Sequence, residues 1–178
     1  MKKTSSFKFA ASKAAILLLC AGFMITVSAN AEPETGDVTV AVGDVQAVAA
    51  DGASRLLKKG DKVVVGTTVK TGADSRAVIV ITPRSAIRIS ENSEVLIEMV
   101  NQDVQPADVT INLKDGSLGA LLKPNAADEL DFKVRTPSGV AAARGTFYAV
   151  VVKDGKGYAQ VKEGQVEIIP NEEVDGNQ

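Results

Sequence analysis

Apolar and polar residues alternate along most of this chain with the period of a β-strand. Val38, Val40 and Val42 are separated by single polar or small residues, and the same spacing recurs in EVLIEM, DVTINL, DFKVR and GQVEII. Successive side chains of a strand point to opposite faces of a sheet, so a period of two indicates strands that bury one face. Shorter β-branched runs, GDKVVVG and AVIVI, are also typical of strands. The pattern predicts an all-β domain.

No segment beyond residue 31 combines a helical period with helix caps. The best candidate, GVAAARGTFYAV, contains three alanines but is interrupted by Gly139 and Gly145 and continues into aromatic and β-branched residues. These residues favour a strand and a corner over a helix. We therefore expect a single domain of many short strands with a β-solenoid or β-roll-like architecture. A compact β-sandwich is the alternative.

Three segments share the order of an apolar residue, charged residues, a glycine and a second apolar run. They are residues 57–61, 113–118 and 161–166, and residues 40–48 form a looser copy. A glycine takes positive φ without steric cost, so each segment is interpreted as a tight corner between stacked strands. The sequence also predicts a hairpin turn at 154–157 and polar loops at 101–108 and 124–128.

The N-terminal segment has the features of a secretory signal peptide. Lysines precede an apolar stretch at 14–27, and small residues at 29 and 31 suit cleavage after Ala31. We expect residues 1–31 to be removed, with an uncleaved anchor as the alternative, and the mature protein to be periplasmic or secreted in a bacterium. Residues 32–36 are a polar lead, and residues 171–178 are expected to form a disordered acidic tail.

Cleavage would make the chain more acidic. Four of its 20 Lys and Arg residues and none of its 22 Asp and Glu residues precede residue 32, so the remaining part carries a net charge of −6. This balance argues against nucleic acid as a partner. We expect no transmembrane segment after cleavage, and the sequence leaves the oligomeric state open.

The residue types present restrict the chemistry. The chain has no histidine and a single cysteine, Cys20, in the signal segment. Catalytic triads based on histidine, disulfides and most zinc or copper sites are therefore excluded. Ser-x-x-Lys, Gly-x-Ser-x-Gly, phosphate-loop and calcium-loop patterns are also missing beyond residue 31. We expect no enzymatic activity, no catalytic residue, no cofactor and no metal site.

Aromatic residues are few. Phe132 alternates with Val134 and is expected in the core, whereas period two sends one of Phe147 and Tyr148 inward and the other outward. An exposed Tyr148 would lie near Tyr158 across the hairpin. The two tyrosines would form a cross-strand pair or, alternatively, part of a glycan-stacking platform. Tyr148 and Tyr158 are our candidates for contact with a partner.

Taken in order, the motifs resemble those of FecR-type domains. The resemblance begins at LKKGDKV, continues through LxxGxL and TPxGV, and is strongest at ARGTxYxV (residues 143–150). It covers about residues 36–169, so we place a FecR-like β-domain at 37–170. The positions interpreted as its structural motif are Gly60, Gly116, Thr136, Pro137, Gly139, Arg144, Gly145, Thr146 and Gly164.

The resemblance implies an all-β, non-catalytic domain that binds protein partners. Members of the family act as the periplasmic sensing part of iron-uptake regulators, which receive a signal from an outer-membrane transporter and pass it to a sigma factor. This sequence shows neither a cytoplasmic helical segment before the domain nor a docking domain after Pro170. We therefore expect a stand-alone exported domain that acts as a protein-interaction or signal-receiving module, with an envelope protein as partner. A glycan-binding or structural protein of the cell envelope is the alternative.

Overall fold

The computed structural model describes residues 34–123, 130–143, 147–163 and 166–171, all within the compact unit of residues 31–178. These residues form fourteen β-strands and no helix. The strands are β1 (Glu34–Val42), β2 (Val45–Val48), β3 (Ser54–Leu56), β4 (Lys62–Val64), β5 (Thr68–Thr71), β6 (Arg76–Thr82), β7 (Ser85–Ile89), β8 (Ser93–Asn101), β9 (Ala107–Leu122), β10 (Leu130–Thr136), β11 (Gly139–Ala143), β12 (Phe147–Lys153), β13 (Lys156–Glu163) and β14 (Val166–Pro170). The predicted all-β fold is confirmed.

Nine of the strands form one curled antiparallel sheet that makes half of a barrel. Their order across the sheet is β3-β2-β5-β8-β9-β7-β6-β1-β4. The central strand, β9, pairs with β8 through its first half and with β7 through its second half. The sheet is thus continuous through β9, which fits a roll better than a sandwich of two separate sheets.

The remaining strands extend both halves of β9. β10 runs parallel to its first half and carries β11 and β14 beyond it, whereas β12 runs antiparallel to its second half and carries β13. Consequently, β9 belongs to two groups of strands. The first group contains β2, β3, β5, β8, β10, β11 and β14, and the second contains β1, β4, β6, β7, β12 and β13.

A single core lies inside the curled sheet. Alternate residues of both groups are buried in it, which follows from the period of two in the sequence. In β9, for example, Ile111 and Leu113 of the first half and Leu118 and Ala120 of the second half are all fully buried. The largest buried side chains are Tyr148 and Phe132, whose rings meet edge to face with centroids 6.4 Å apart.

Four of the corners at which the chain passes between the two groups are adjacent: residues 43–44, 72–75, 90–92 and 115–117. Hydrogen bonds join each corner to the next: Gly72 N–H donates to the Asp44 carbonyl (2.9 Å), Asn92 N–H to the Gly72 carbonyl (3.1 Å) and Ser90 N–H to the Ser117 carbonyl (3.0 Å). This stack agrees with the expectation of similar, neighbouring corners.

Buried hydroxyl groups form hydrogen bonds with backbone groups of the corners. The Asp44 N–H donates to Ser75 Oγ (2.8 Å) and the Ser117 N–H donates to Ser93 Oγ (3.0 Å). Thr71 Oγ1 donates to the Ser90 carbonyl (2.5 Å). Backbone groups that leave the strand ladder at a corner must find other partners when they are buried, and these three side chains provide them.

Two local predictions need correction. Residues 113–118 form a corner with a positive φ at Gly116, as expected, but they do not separate two strands, because β9 bends there without ending. The polar loop predicted at 101–108 is shorter, since Asn101 still belongs to β8 and Ala107 already to β9. The predicted loop at 124–128 lies outside the described residues.

Candidate interaction surface

The glycines of the sequence motif have different roles in the fold. Gly60 lies in the turn between β3 and β4 with φ +92°, and open space surrounds the position that a Cβ would take. Gly116 has φ +89°, but a Cβ there would stand 2.6 Å from Cα of Ser93 and 2.7 Å from the carbonyl oxygen of Asn92. A side chain at position 116 would therefore conflict with both the backbone conformation and the close packing. At position 60 it would conflict with the backbone conformation alone.

The turn that contains Thr136, Pro137 and Gly139 joins β10 to β11 and also contacts two other strands. Thr136 Oγ1 donates to the Gly139 carbonyl (2.9 Å), and a Cβ on Gly139 would stand 2.6 Å from the Ile169 carbonyl oxygen of β14. The Pro137 carbonyl accepts a hydrogen bond from Asn171 Nδ2 (2.9 Å). Arg144, Gly145, Thr146 and Gly164 lie outside the described residues.

Ser138, in the same turn, has a structural partner. Its Oγ accepts a hydrogen bond from the Gly157 N–H at the start of β13 (2.6 Å), and Gly157 has no side chain to obstruct this approach. The turn thus holds the ends of β13 and β14 near the β10–β11 hairpin.

The predicted pair of exposed tyrosines does not form. Tyr158 is 57% exposed, but Tyr148 is fully buried, and Phe147 is the member of the adjacent aromatic pair that faces outward. Opposite Tyr158 on β12 stands Val151. The expectation that Tyr148 is exposed was wrong, and it failed because FYAVVVK is apolar at every position except the last, so alternation gives no direction.

The buried hydroxyl of Tyr148 has no hydrogen-bond partner among the described residues. Burial in an apolar environment raises the pKa of this phenol, because it disfavours the charged form. The hydroxyl therefore stays protonated, and nothing around it among the described residues suggests a catalytic arrangement.

The outer surface of the second group of strands is apolar over most of its width. We call this surface the apolar face. It is formed by Val40, Val42, Val78, Val80, Ala86, Leu121, Phe147, Ala149, Val151 and Tyr158. Each of these residues is exposed or half-buried and lies on strands whose alternate residues face the core.

Strand pairing brings the members of the apolar face into rows. Val80 stands opposite Ala86, Ala86 opposite Leu121, and Leu121 opposite Phe147, which makes one row across β6, β7, β9 and β12. Leu121 is 48% exposed and Phe147 is 41% exposed. Soluble proteins seldom leave such contiguous apolar areas in water, and those that do often use them to bind other molecules.

Two arginines lie at one end of the apolar face. Arg88 stands opposite Val78 on β6 and opposite Gly119 on β9, and Arg76 stands opposite Val42 on β1. Both side chains are exposed, and neither forms an ion pair with any of the described residues. They line a surface cavity of about 380 Å³ at the corners.

The first group of strands has a different outer surface, which we call the charged face. Ion pairs cross it from strand to strand at Lys70–Glu94 (2.9 Å), Lys114–Glu94 (3.1 Å) and Arg135–Glu98 (2.8 Å), and Lys133 pairs with Asp131 of its own strand (2.8 Å). The hydrogen bond from Lys70 is the main reason that the pKa of Glu94 is lowered, and the one to Asp131 is the main reason that the pKa of Lys133 is raised.

Among the residues that the structure describes, no three His, Cys, Asp or Glu side chains are grouped as metal ligands would be. Nor does that part of the chain contain a helix of the length and apolarity required to cross a bilayer.

A family comparison agrees with the sequence motifs. The model of the FecR protein family matches residues 67–167, which is more than half of the chain, and the chain belongs to this family. Curated proteins and solved structures yielded no match. FecR domains are regulatory and not catalytic, and membership suggests a periplasmic domain of a signal regulator.

Sequence reasoning missed the apolar face, although a signal for it was present. RAVIVIT of β6 and FYAVVVK of β12 are apolar at successive positions, so both faces of these strands are apolar. Strands of this kind are expected where both faces of a sheet are covered. In the described structure the outer faces of β6 and β12 are exposed or half-buried.

Proposed function

We propose that this chain is a non-catalytic FecR-type domain of the cell envelope that receives a signal by binding another protein through its apolar face. The observation that carries the proposal is the row of apolar side chains across β6, β7, β9 and β12. Family membership supports the regulatory role. The signal-peptide features of residues 1–31 support export to the periplasm.

The members of the apolar face do not belong to the buried core of the described residues. Leu121 and Val151, for example, are exposed. The exposed apolar area of Leu121 and Val151 is in unfavourable contact with water. A partner that covers these side chains would remove that cost, by about 25 cal/mol per Å² of apolar surface buried.

Site-specific photo-crosslinking in the native host tests the proposal. A benzophenone amino acid replaces Leu121 in one variant and Lys114 in a matched control. Both positions are exposed and both lie on β9, but Leu121 is on the apolar face and Lys114 on the charged face. We expect adducts with one envelope protein, identified by mass spectrometry, from position 121 and none from position 114.

The proposal fails if position 121 gives no adduct while the variant is folded and exported, or if both positions give the same adducts. Retention of the chain in the cytoplasm would contradict the proposed location independently of binding.

A further inference from the structure

We infer that the apolar face binds a segment of a partner protein that combines apolar side chains with carboxylates, and that Arg76 and Arg88 pair with those carboxylates. This inference rests on the proposed function and gives the chemistry of its partner. It is carried by the arrangement of the two arginines among apolar neighbours.

The cations of the charged face and those of the apolar face differ in whether a carboxylate neutralises them. On the charged face, Lys70, Lys114, Lys133 and Arg135 each lie within 3.5 Å of a carboxylate of the same domain. The arginines of the apolar face have no such partner among the described residues. A planar guanidinium presents several donors in a fixed geometry that suits a carboxylate, so an exposed and unpaired pair of them is suited to an incoming acid.

Two acids, Asp74 and Glu91, lie at the corners beside the arginines. Asp74 and Glu91 line the same cavity, but Glu91 Oε2 accepts a hydrogen bond from the Asp74 N–H (2.9 Å) and thereby ties two corners together. Asp74 itself has φ +54° in the corner before β6. Both acids lie beyond the ends of β6 and β7, and neither forms an ion pair with Arg76 or Arg88 among the described residues.

The distance between Arg88 and the apolar row determines how acidic and apolar residues must be spaced in a ligand. Arg88 is two residues along β7 from Ala86, which belongs to the apolar row with Leu121 and Phe147. Two residues of a strand span roughly 7 Å. The ring of Phe147 also covers Gly119, with its Cζ 3.9 Å from the site of a Cβ there, so apolar surface reaches the residue opposite Arg88. A carboxylate one or two residues from apolar anchors would meet both features.

An anionic membrane surface also combines apolar groups with negative charge, but the observations favour a protein. Stable attachment to anionic lipid usually requires a cluster of cations or a lipid anchor in addition to an apolar surface. The apolar face has two arginines beside its apolar rows and two lysines, Lys153 and Lys156, at the end of the β12–β13 hairpin, and the chain as a whole has a net charge of −2. Such a protein gains little from a negatively charged bilayer, whereas two arginines suffice to position an acidic peptide.

Peptide selection tests the inference. A library of random peptides displayed on phage is selected on the chain of residues 1–178, and the selected peptides are then synthesised for titration. We expect enrichment of Leu, Ile, Val or Phe together with Asp or Glu. Affinity should fall about tenfold or more for the double variant Arg76→Gln, Arg88→Gln, as expected for loss of close charge pairs.

Two further variants show on which face the peptide binds, and a change in the peptide shows whether its acid pairs with the arginines. The double variant Lys70→Gln, Lys114→Gln removes two cations from the charged face and should leave affinity unchanged. Leu121→Glu adds an acid to the apolar face and should abolish binding. Replacing the peptide's acid by its amide should weaken binding to the native chain about as much as the arginine substitutions do, and should have little further effect on the arginine variant.

The inference is overturned if the selected peptides show no preference for acids, if the lysine variant loses as much affinity as the arginine variant, or if Leu121→Glu still binds. Arginine-dependent binding to phosphatidylglycerol vesicles, without selection of acidic peptides, would assign the face to a membrane and overturn it as well. If crosslinks from position 121 persist unchanged in the arginine variant, the proposed function stands and this inference alone fails.

Discussion

On the charged face, Lys70 and Lys114 share the carboxylate of Glu94, whereas on the apolar face Arg88 stands between a valine and a glycine and pairs with no acid of the described residues. Both faces cover the same core and are joined by the same strand, β9. The charged face satisfies its own charges and offers little to a partner. Among the described residues, the apolar face leaves apolar area exposed and two guanidinium groups without an ion pair. This difference from the charged face is the basis of the proposed recognition.

The largest expected effect comes from breaking the bend that joins the two faces. Gly116→Ala forces a residue with a side chain into φ +89° and places its Cβ 2.6 Å from Cα of Ser93, a backbone atom that cannot easily move. We expect destabilisation of roughly 3–5 kcal/mol, a size confined to severe backbone or packing conflicts. Chemical denaturation measures it.

Gly60→Ala is the matched control for Gly116→Ala. It requires a similar φ of +92° but has open space around the Cβ, so it should cost about 1–2 kcal/mol. Equal losses at the two glycines would mean that close packing of the corners contributes nothing.

The second prediction compares the inside and outside of β12. Val150 is buried in the core and Val151 lies on the apolar face, 37% exposed. Val150→Ala should cost about 2 kcal/mol because it leaves a cavity, while Val151→Ala should change the free energy of unfolding by less than about 0.5 kcal/mol. Urea denaturation of the two variants provides the comparison. A large loss at Val151 would mean that the apolar face is covered within the chain itself.

The architecture was largely accessible from the sequence, whereas the apolar face was not. Alternation in segments such as DVTINL identifies strands and the side that faces the core, and the glycine of 113–118 marked the point where β9 bends. No local pattern shows that Val80, Ala86, Leu121 and Phe147 stand side by side, because long-range strand pairing determines this. The direction of Tyr148 was inaccessible for another reason: its neighbours on β12 are apolar too, and the pairing with β13 shifts register between Phe147 and Tyr148.

The third prediction tests whether the arginines of the two faces differ as their surroundings do. Arg135 forms an ion pair with Glu98 at 2.8 Å, so Arg135→Gln should lower the free energy of unfolding by about 0.5 kcal/mol, a typical value for an exposed pair. Arg88→Gln removes no ion pair known among the described residues and should leave stability unchanged within about 0.2 kcal/mol. Denaturation curves recorded side by side distinguish the two. A clear loss of stability for Arg88→Gln would reveal an intramolecular partner and would argue against binding of this arginine to an acid of another protein.

The smallest expected effect is the pH dependence of the charged face at Glu94. Ion pairing, mainly with Lys70, lowers the pKa of Glu94 below its ordinary value of 4.5. A carboxylate whose pKa is lower in the folded state contributes stability above the pKa of the unfolded state, and that contribution is lost as the pH falls through the folded pKa. Glu94→Gln should therefore cost about 0.5 kcal/mol at neutral pH, and the difference from the native chain should disappear once the pH lies well below 4.5.

The same substitution in a Lys70→Met background should cost less at neutral pH, because the hydrogen bond that contributes most to the lowered pKa of Glu94 is gone. A cost that stays constant from neutral to acidic pH would show that Glu94 acts through packing and not through its charge.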